Sequence, residues 1–585
     1  MNETGSMFDR RGMLRLAGAG LVALGTGGLG AGLTGCSGGD DAAEPTERDW
    51  NRLADRLTGR LVRPGAAEYP AAGQLFDPAF DRIRPRAVAY CASAADVAAG
   101  VAFARSAGLP FTARAGGHSY GGYSTTNGLV LDVSTLNSVR PGTRSGMGGP
   151  TGGPGTAGPG TAGPGTAGAG IASSGIASSG IATIGAGAQL VDVYAQLAAA
   201  GAALPAGSCP TVGIAGLALG GGIGVVGRRH GLTCDRMLAA EVVLASGETL
   251  RVDGRRDADL FWALRGGGGG NFGVVTSFTF ATHRATPLTL FAYRWPWAAA
   301  AGVVAAWQEW NLRPDAPDEL WSTCVVTTVP TPDGTGTPAI RISGVISEPA
   351  GTAGGSGTGS TASGAGGAGA GEGVPSSARA LLAELVDAVG SAPSSTFAAQ
   401  RDPLEAMLIE AGCSGRTVAQ CHLAGRSPDG ALRRVAQLAA SNFLTGPLSA
   451  TGVEALLGAV ESRQREAGLR SGGVILDSWG GAIGRVGAGE TAFVHRDALA
   501  SAQYIAGYDI RDSAELRGRN AEWLRGTVAA LAPHVSPSAY QNYIDPELRN
   551  WAKAYYGANL PRLRSVKRAY DPDNAFSFAQ SIPPA

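Results

Sequence analysis

Three stretches of this chain hold residues whose types and spacing could do chemistry. In Arg114-Ala115-Gly116-Gly117-His118-Ser119-Tyr120-Gly121-Gly122, one imidazole stands between glycine pairs. Lacking Cβ atoms, glycines let backbone amides come close to an anionic group such as a pyrophosphate. Taken alone, a histidine between glycines is more often a turn residue than a ligand. The second stretch, Gly207-Ser208-Cys209-Pro210-Thr211-Val212-Gly213, runs through Gly216 into Gly220-Gly221-Gly222-Ile223-Gly224. Gly222, Gly224 and Gly227 formally match a dinucleotide fingerprint, which needs a strand before it and a helix after it. Cys-Pro and a glycine triplet precede the match and Arg228-Arg229-His230 follows at once, so it reads as chance. In the third stretch, Leu260-Phe261-Trp262-Ala263-Leu264-Arg265 passes through five glycines into Asn271-Phe272-Gly273-Val274-Val275. A glycine run between an aromatic helix and an apolar strand reads as a tight turn against a cofactor.

The elements that must position these residues follow from periodicity. Residues 87–91, 111–113, 129–133, 181–185, 241–245 and 274–280 read as strands, and 94–106 and 190–200 as helices. Residues 37–66 read as a polar tether. Two low-complexity tracts, 141–180 with its repeated Pro-Gly-Thr-Ala-Gly and Ile-Ala-Ser-Ser-Gly units, and 350–376, lack core-forming residues and read as surface loops. Alternating strands and helices before the second tract argue for an α+β architecture.

The 585 residues leave room for two or three domains. With 47 basic and 47 acidic residues the formal charge is zero, and no basic patch suggests nucleic acid. Seven cysteines occur without CxxC or zinc spacing, so no metal site is expected, and Cys413 with Cys421 is the nearest pair for a disulfide. The N-terminus reads as an address. Arg10-Arg11-Gly12-Met13-Leu14 is a twin-arginine pattern, and the apolar run 16–33, with seven glycines, is a poor membrane span. Leu33-Thr34-Gly35-Cys36 then resembles a lipobox in which Cys36 is acylated. The expectation is export by the twin-arginine machinery to a surface lipoprotein, or otherwise secretion, with membrane contact only through residues 1–36.

The three blocks, in this order, resemble the berberine bridge enzyme-like branch of the vanillyl-alcohol oxidase flavoproteins. The C-terminus agrees, with Tyr540-Gln541-Asn542-Tyr543-Ile544-Asp545, Tyr555-Tyr556-Gly557-Ala558-Asn559 and Tyr570-Asp571-Pro572-Asp573-Asn574-Ala575-Phe576. Asp477-Ser478-Trp479-Gly480-Gly481 and Phe493-Val494-His495-Arg496 also fit. The similarity spans residues 67–585 apart from the two low-complexity tracts. It implies a PCMH-type FAD-binding domain of two α+β subdomains (67–283) and a substrate domain, 284–534, with an antiparallel sheet backed by helices. A segment from 535 to 585 would return to the first domain.

The resemblance further implies FAD bonded through the 8α-methyl to His118 and, as in bicovalent members, through C6 to Cys209. Arg114, Gly116, Gly117, Ser119, Gly122, Gly213, Gly216, Gly220, Gly221, Gly222, Gly224, Val275, Asn542, Asn574 and Phe576 would complete the cofactor site. Tyr543 would be the base, with Tyr540 beside it, Asp477 acting on the tyrosine, and Tyr120 lining the cavity. The implied reaction is oxidation of an alcohol, on a carbohydrate or a secondary metabolite, by hydride transfer to flavin. Val212, three residues after Cys209, matches the residue of oxygen-reactive members, which implies oxygen as acceptor and hydrogen peroxide as product. A dehydrogenase using another acceptor is the first alternative. A non-catalytic ligand-binding lipoprotein is the second, and intact His118, Cys209, Asp477 and Tyr543 argue against it.

Overall fold

The computed structural model describes residues 44–142, 180–331, 335–348, 373–464, 466 and 468–585. The twin-arginine pattern, Cys36 and most of both low-complexity tracts lie outside the described residues.

The chain finishes one sheet before it starts the next. The first holds β1 (Arg60–Val62), β2 (Ala87–Tyr90), β3 (Phe111–Arg114) and β4 (Leu129–Asp132), in the order β1-β2-β4-β3. β4 pairs in parallel with both β2 and β3, and its four residues are all buried, as a short apolar run in a covered parallel sheet should be. The helix Ala94–Ser106 starts where expected because Ser93 caps it, accepting a hydrogen bond from the Asp96 amide. A side chain at Gly100 would strike Leu131, so glycine lets this helix lie against the sheet.

Residues 44–66 are not a tether. Thr46 and Asp49 form a capping box for a helix at Glu47–Arg56, whose Trp50 and Leu53 are buried in the first core, and β1 adds an antiparallel edge to β2. Trp50, Leu53 and Leu57 form one apolar stripe, which the many charges between them hide from a reading by composition.

The second sheet holds β5 (Val139–Gly142), β6 (Gly180–Gly185), β7 (Ala202–Ala203), β8 (Met237–Val243), β9 (Thr249–Asp253) and β10 (Val274–Arg284). Its order is β5-β6-β10-β8-β9, with β7 beside β10, and every pair is antiparallel. Pro141 pairs with Ala182 and Gly142 with Ile181, so the ends of the first low-complexity tract are strand, not loop. β8 starts at Met237 and ends at Val243, earlier than the expected 241–245, because its register sets Met237 against Phe280 and Val243 against Val274 of β10. Before Gly222 stands the helix Ile214–Leu219 and after Gly227 only a four-residue helix, so the fingerprint match has no dinucleotide fold around it.

The third sheet is antiparallel throughout. β11 (Leu288–Trp295), β12 (Leu320–Pro330), β13 (Gly336–Ser347), β14 (Ser395–Arg401), β15 (Ala436–Leu444), β16 (Gly472–Ser478) and β17 (Ala500–Tyr508) take the order β14-β11-β13-β12-β16-β17-β15. The helices Ala300–Asn311, Ser376–Val389, Ala450–Gln464 and Ala514–Leu531 share one apolar core with this sheet. Val374 is buried in that core, so the second low-complexity tract ends before residue 374 rather than at 376.

From Ala539 the chain returns to the first core, where Ala554, Tyr555, Leu563, Phe576 and Ile582 pack among the residues of the first two sheets. Lys567 pins this return. Its buried ammonium donates to the Asn271 carbonyl at 2.6 Å, the Asp571 carboxylate at 2.7 Å and the Phe576 carbonyl at 2.7 Å. Cys413 and Cys421 form a disulfide.

Candidate functional site

The first two glycine blocks meet backbone to backbone. A Cβ on Gly116 would run into the Gly213 amide, and one on Gly213 into that of Gly116, so only glycine permits this approach at both positions. The contact aims His118 and Cys209 into one cavity of about 300 Å³. His118 Nε2 lies 2.9 Å from Thr211 Oγ1, and its ring stacks on Phe76 at 4.0 Å between centroids. Cys91, Cys234 and Cys324 are buried outside this cavity, whereas Cys209 is half-buried on its wall. Burial pushes the Cys234 thiol well above its ordinary range. Tyr194 holds the Cys209 loop by donating to the Gly207 carbonyl at 2.6 Å.

The third glycine block forms the opposite wall. The Gly266 and Gly268 amides donate to the Leu219 carbonyl at 3.0 and 2.8 Å, turning Gly268, Gly269 and Gly270 toward the cavity beside Val275. Gly216 faces them, and an added Cβ there would meet nothing within 4 Å.

Elements distant in sequence close the other end. Tyr543, 9% exposed, stacks on Tyr120 at 6.1 Å and meets Tyr540 edge-on at 4.9 Å. Tyr120 accepts a hydrogen bond from Gln503 Nε2 at 3.2 Å. The Tyr540 hydroxyl accepts from the Gly222 amide at 2.8 Å, the Ile223 amide at 3.3 Å and Asn542 Nδ2 at 2.9 Å. Burial raises the Tyr540 phenol well above its usual range. With three N–H groups on its oxygen, that phenol ties the C-terminal turn to the glycine loop.

Asp477 is buried on β16 and is not on the cavity wall. It pairs with Ser501 of β17, two positions from Gln503, and strand alternation puts all three on the same face of the sheet. Ser501 in turn accepts from Trp479 Nε1 at 3.0 Å.

The cavity thus collects His118, Cys209, Arg114, Gly116, Gly117, Ser119, Gly213, Gly216, Val275, Asn542, Tyr120, Tyr540 and Tyr543. Gly122, Gly220, Gly221, Gly222 and Gly224 are not on its wall. Added side chains there would strike Phe80, Asn542, Phe493, Thr233 and Ala206 respectively, so these glycines serve packing. Phe576 is buried edge-on to Phe111, and Asn574, with φ 52°, lines a separate cavity with Arg105 and Thr125. Phe76, Thr211, Gln437, Gln503, Gln541 and Gln580 carry or contact the site without having been singled out for it. Thr211 sits inside the Gly207–Gly213 stretch, but nothing local marks a lone strand glutamine. Only the sheet register brings it to the wall.

Arg114 Nη1, Gln541 Oε1 and Gln580 Oε1 are buried on this wall without a hydrogen-bond partner. Arg114 otherwise pairs with Asp132 at 2.6 Å and donates to the Ala72 carbonyl at 2.7 Å. Unmet donors and acceptors beside walls stripped to glycine suit a large polar group with a flat or phosphate-bearing part, and FAD fits that description. Fold and site define an FAD-linked oxidoreductase. The family described as FAD binding domain matches residues 85–144 and 155–253, and the family described as Berberine and berberine like matches 539–583. An uncharacterized FAD-linked oxidoreductase of Bacillus subtilis, YgaK, is 29% identical over 90% of this chain and 98% of its own. The glucooligosaccharide oxidase of Sarocladium strictum is 27% identical over 86% of this chain and 87% of its own. The structure of Physcomitrella patens BBE-like 1 superposes with a TM-score of 0.71 and 26% identity, covering 91% of this chain and 98% of that one. Over about nine-tenths of its length the chain is similar to berberine bridge enzyme-like FAD-linked oxidoreductases.

Proposed function

We propose that this protein is an exported oxidase of carbohydrate-type alcohols that holds FAD covalently through His118 and Cys209 and passes electrons to oxygen, yielding hydrogen peroxide. The observation that carries the reading is the single cavity with His118 and Cys209 on one side and Tyr120, Tyr543 and Gln503 on the other. Likeness to a glucooligosaccharide oxidase supports the substrate class.

When bound, FAD supplies the two-electron acceptor for a hydride from the carbinol carbon. The chain's residues manage the proton. Tyr543 takes it from the substrate hydroxyl onto its phenolate oxygen, which requires a pKa well below the reference of about 10. Asp477, off the cavity wall, is a positioning residue in this scheme. It orients the polar groups on its sheet face or accepts the phenol proton, since its negative charge alone would raise a tyrosine pKa. Gln503 orients Tyr120 through their hydrogen bond, and Tyr120 and Tyr543 together present a stacked aromatic wall to the substrate. Tyr540 anchors the turn that carries Tyr543, whose amide donates to the Tyr540 carbonyl at 2.8 Å. Val212 lines the cavity beside Cys209, where a small side chain leaves oxygen a path.

The test uses the purified yellow protein, screened with mono- and oligosaccharides and with secondary-metabolite alcohols. Sugar-dependent bleaching of the flavin without air, and peroxide release in air, are the expected results. Bleaching without prompt reoxidation by air would make it a dehydrogenase, and no bleaching with any alcohol would refute alcohol oxidation. Peptide mass spectrometry should find flavin on both His118 and Cys209. Full release of FAD on acid precipitation would refute the covalent link.

A further inference from the structure

We infer that Thr211 and Phe76 are positioning residues for flavin attachment, holding the His118 imidazole in the tautomer and plane from which it bonds to the cofactor. The inference rests on the covalent link at His118 proposed above.

A neutral imidazole has one N–H and one lone pair, and the partner of one nitrogen decides what the other offers. Thr211 Oγ1 lies 2.9 Å from His118 Nε2, and Thr211 is buried, 1% exposed. Only with Nε2–H donating to that hydroxyl does a lone pair stand on Nδ1; the reverse direction, which a hydroxyl also permits, would leave neither nitrogen open to bond. The ring plane has its own constraint. Phe76 stacks on it at 4.0 Å and 18°, while the Phe76 amide donates to the Gly117 carbonyl at 3.0 Å. The stacking partner is thereby tied to the loop that carries the histidine. Phe76 is itself fixed in an apolar cluster with Val191, Leu432 and the Cys413–Cys421 disulfide. The constraint is needed because Gly117, at φ 69°, leaves the residue before His118 the freest of backbones. A nucleophile free to swing would lose most of the advantage of being held near its target.

The step balances as an addition followed by an oxidation. A bond forms from Nδ1 to the 8α carbon. One proton from that methyl group and the imidazole proton pass to the isoalloxazine with the electron pair of the broken C–H bond, leaving the ring reduced by two electrons. Dioxygen then takes two electrons and two protons as hydrogen peroxide, and the ring is oxidised again. Thr211 accepts the hydrogen bond that keeps the lone pair on Nδ1, and Phe76 keeps the ring facing the cavity.

The experiment is done on full-length protein carrying Cys209→Ala, so that acid-stable flavin reports on His118 alone. Thr211→Val, Thr211→Ser and Phe76→Leu are matured for a fixed time with excess FAD, and flavin on the His118 peptide is counted by mass spectrometry. Thr211→Val should lower occupancy by about tenfold to a hundredfold, the usual cost of a displaced reacting group, and Thr211→Ser should restore it. Phe76→Leu should fall in the same direction, with dissociable flavin still bound. Unchanged occupancy in Thr211→Val, or no rescue by serine, would overturn the assignment. Should Thr211→Val lose even dissociable flavin, Phe76→Leu decides, and full occupancy there overturns the clamp. Absence of acid-stable flavin in the Cys209→Ala reference would instead sink the covalent reading at His118.

Discussion

Replacing Lys567 by methionine tests whether the C-terminal segment is held by one buried cation. Lys567 and Asp571 are both 0% exposed, and the ammonium has three acceptors within 2.7 Å. Methionine fills much the same space but donates nothing. Asp571 would keep only the Ala575 and Phe576 amides, at 2.8 and 2.9 Å, and the Asn271 and Phe576 carbonyls would lose their donor. Removing one partner of a buried ion pair costs about 3–5 kcal/mol, and each orphaned buried acceptor adds about 1–3 kcal/mol unless water reaches it. A total loss of about 4 kcal/mol or more is expected, a fall of about 3 °C or more in melting temperature at the unfolding entropy of a chain this long. The assay is urea unfolding followed by tryptophan fluorescence, with flavin absorbance recorded alongside. Asn271 closes the glycine turn on the cavity wall, so the flavin spectrum should shift toward that of solvent-exposed flavin at a lower denaturant concentration as well. Lys567→Met combined with Asp571→Asn removes the stranded charge and should recover part of the loss. A measured loss below about 1 kcal/mol, the level of an exposed pair, would refute the reasoning, since it would mean that water already solvates the pair.

Tyr543→Phe keeps the ring and its stacking but removes the proton acceptor, so anaerobic flavin reduction by substrate should slow about a hundredfold or more in stopped flow, with substrate affinity little changed. Burial raises Asp77 to about 6, so between about 4 and 6 the folded state binds more protons than the unfolded one and its contribution to stability falls as pH rises. Asp77→Asn should flatten that slope, worth about 3 kcal/mol across the window, when denaturant midpoints are compared from pH 4 to 7. Replacing residues 143–179 by a short Gly-Ser link should leave flavin content unchanged and melting within a few degrees, because β5 and β6 already bring Gly142 beside Ile181 and closure entropy changes slowly with loop length. Changing Arg10 and Arg11 to lysine should leave the protein in the cytoplasm on fractionation, and unchanged location would sink the export reading.

Much of the local structure around the first two sheets was legible before folding was considered. The helix at Ala94–Ser106 matched end for end, since Ser93 and Asp96 make a cap from residues three apart. The strands at β2, β3, β4 and β6 came within a residue at either end, being short apolar runs between turn signals. The N-terminal helix was missed because its stripe of three apolar residues is diluted by charges, and it pays off only against a core built elsewhere, with Trp50 on Phe103 at 4.8 Å. The glycines divided in a way no motif announces. Gly116, Gly213 and Gly216 border the cavity, while Gly220, Gly221 and Gly222 make room for neighbouring side chains.

The sequence by itself determined the chemical vocabulary: a histidine and a cysteine in glycine loops, a tyrosine-rich C-terminus, and the pattern that marks the family. Glycine sterics, capping and strand runs act over a few residues, so they can be read from a few residues. Only the tertiary structure decided which of these groups share a cavity. Tyr120 meets Gln503 and Tyr543 across some four hundred residues of chain, and the Tyr540 hydroxyl accepts from the Gly222 and Ile223 amides. Those meetings depend on the register of β17 and on the return of the C-terminal segment to the first core. A slip of one residue in that register would turn Gln503 away from the cavity, because successive strand side chains point to opposite faces.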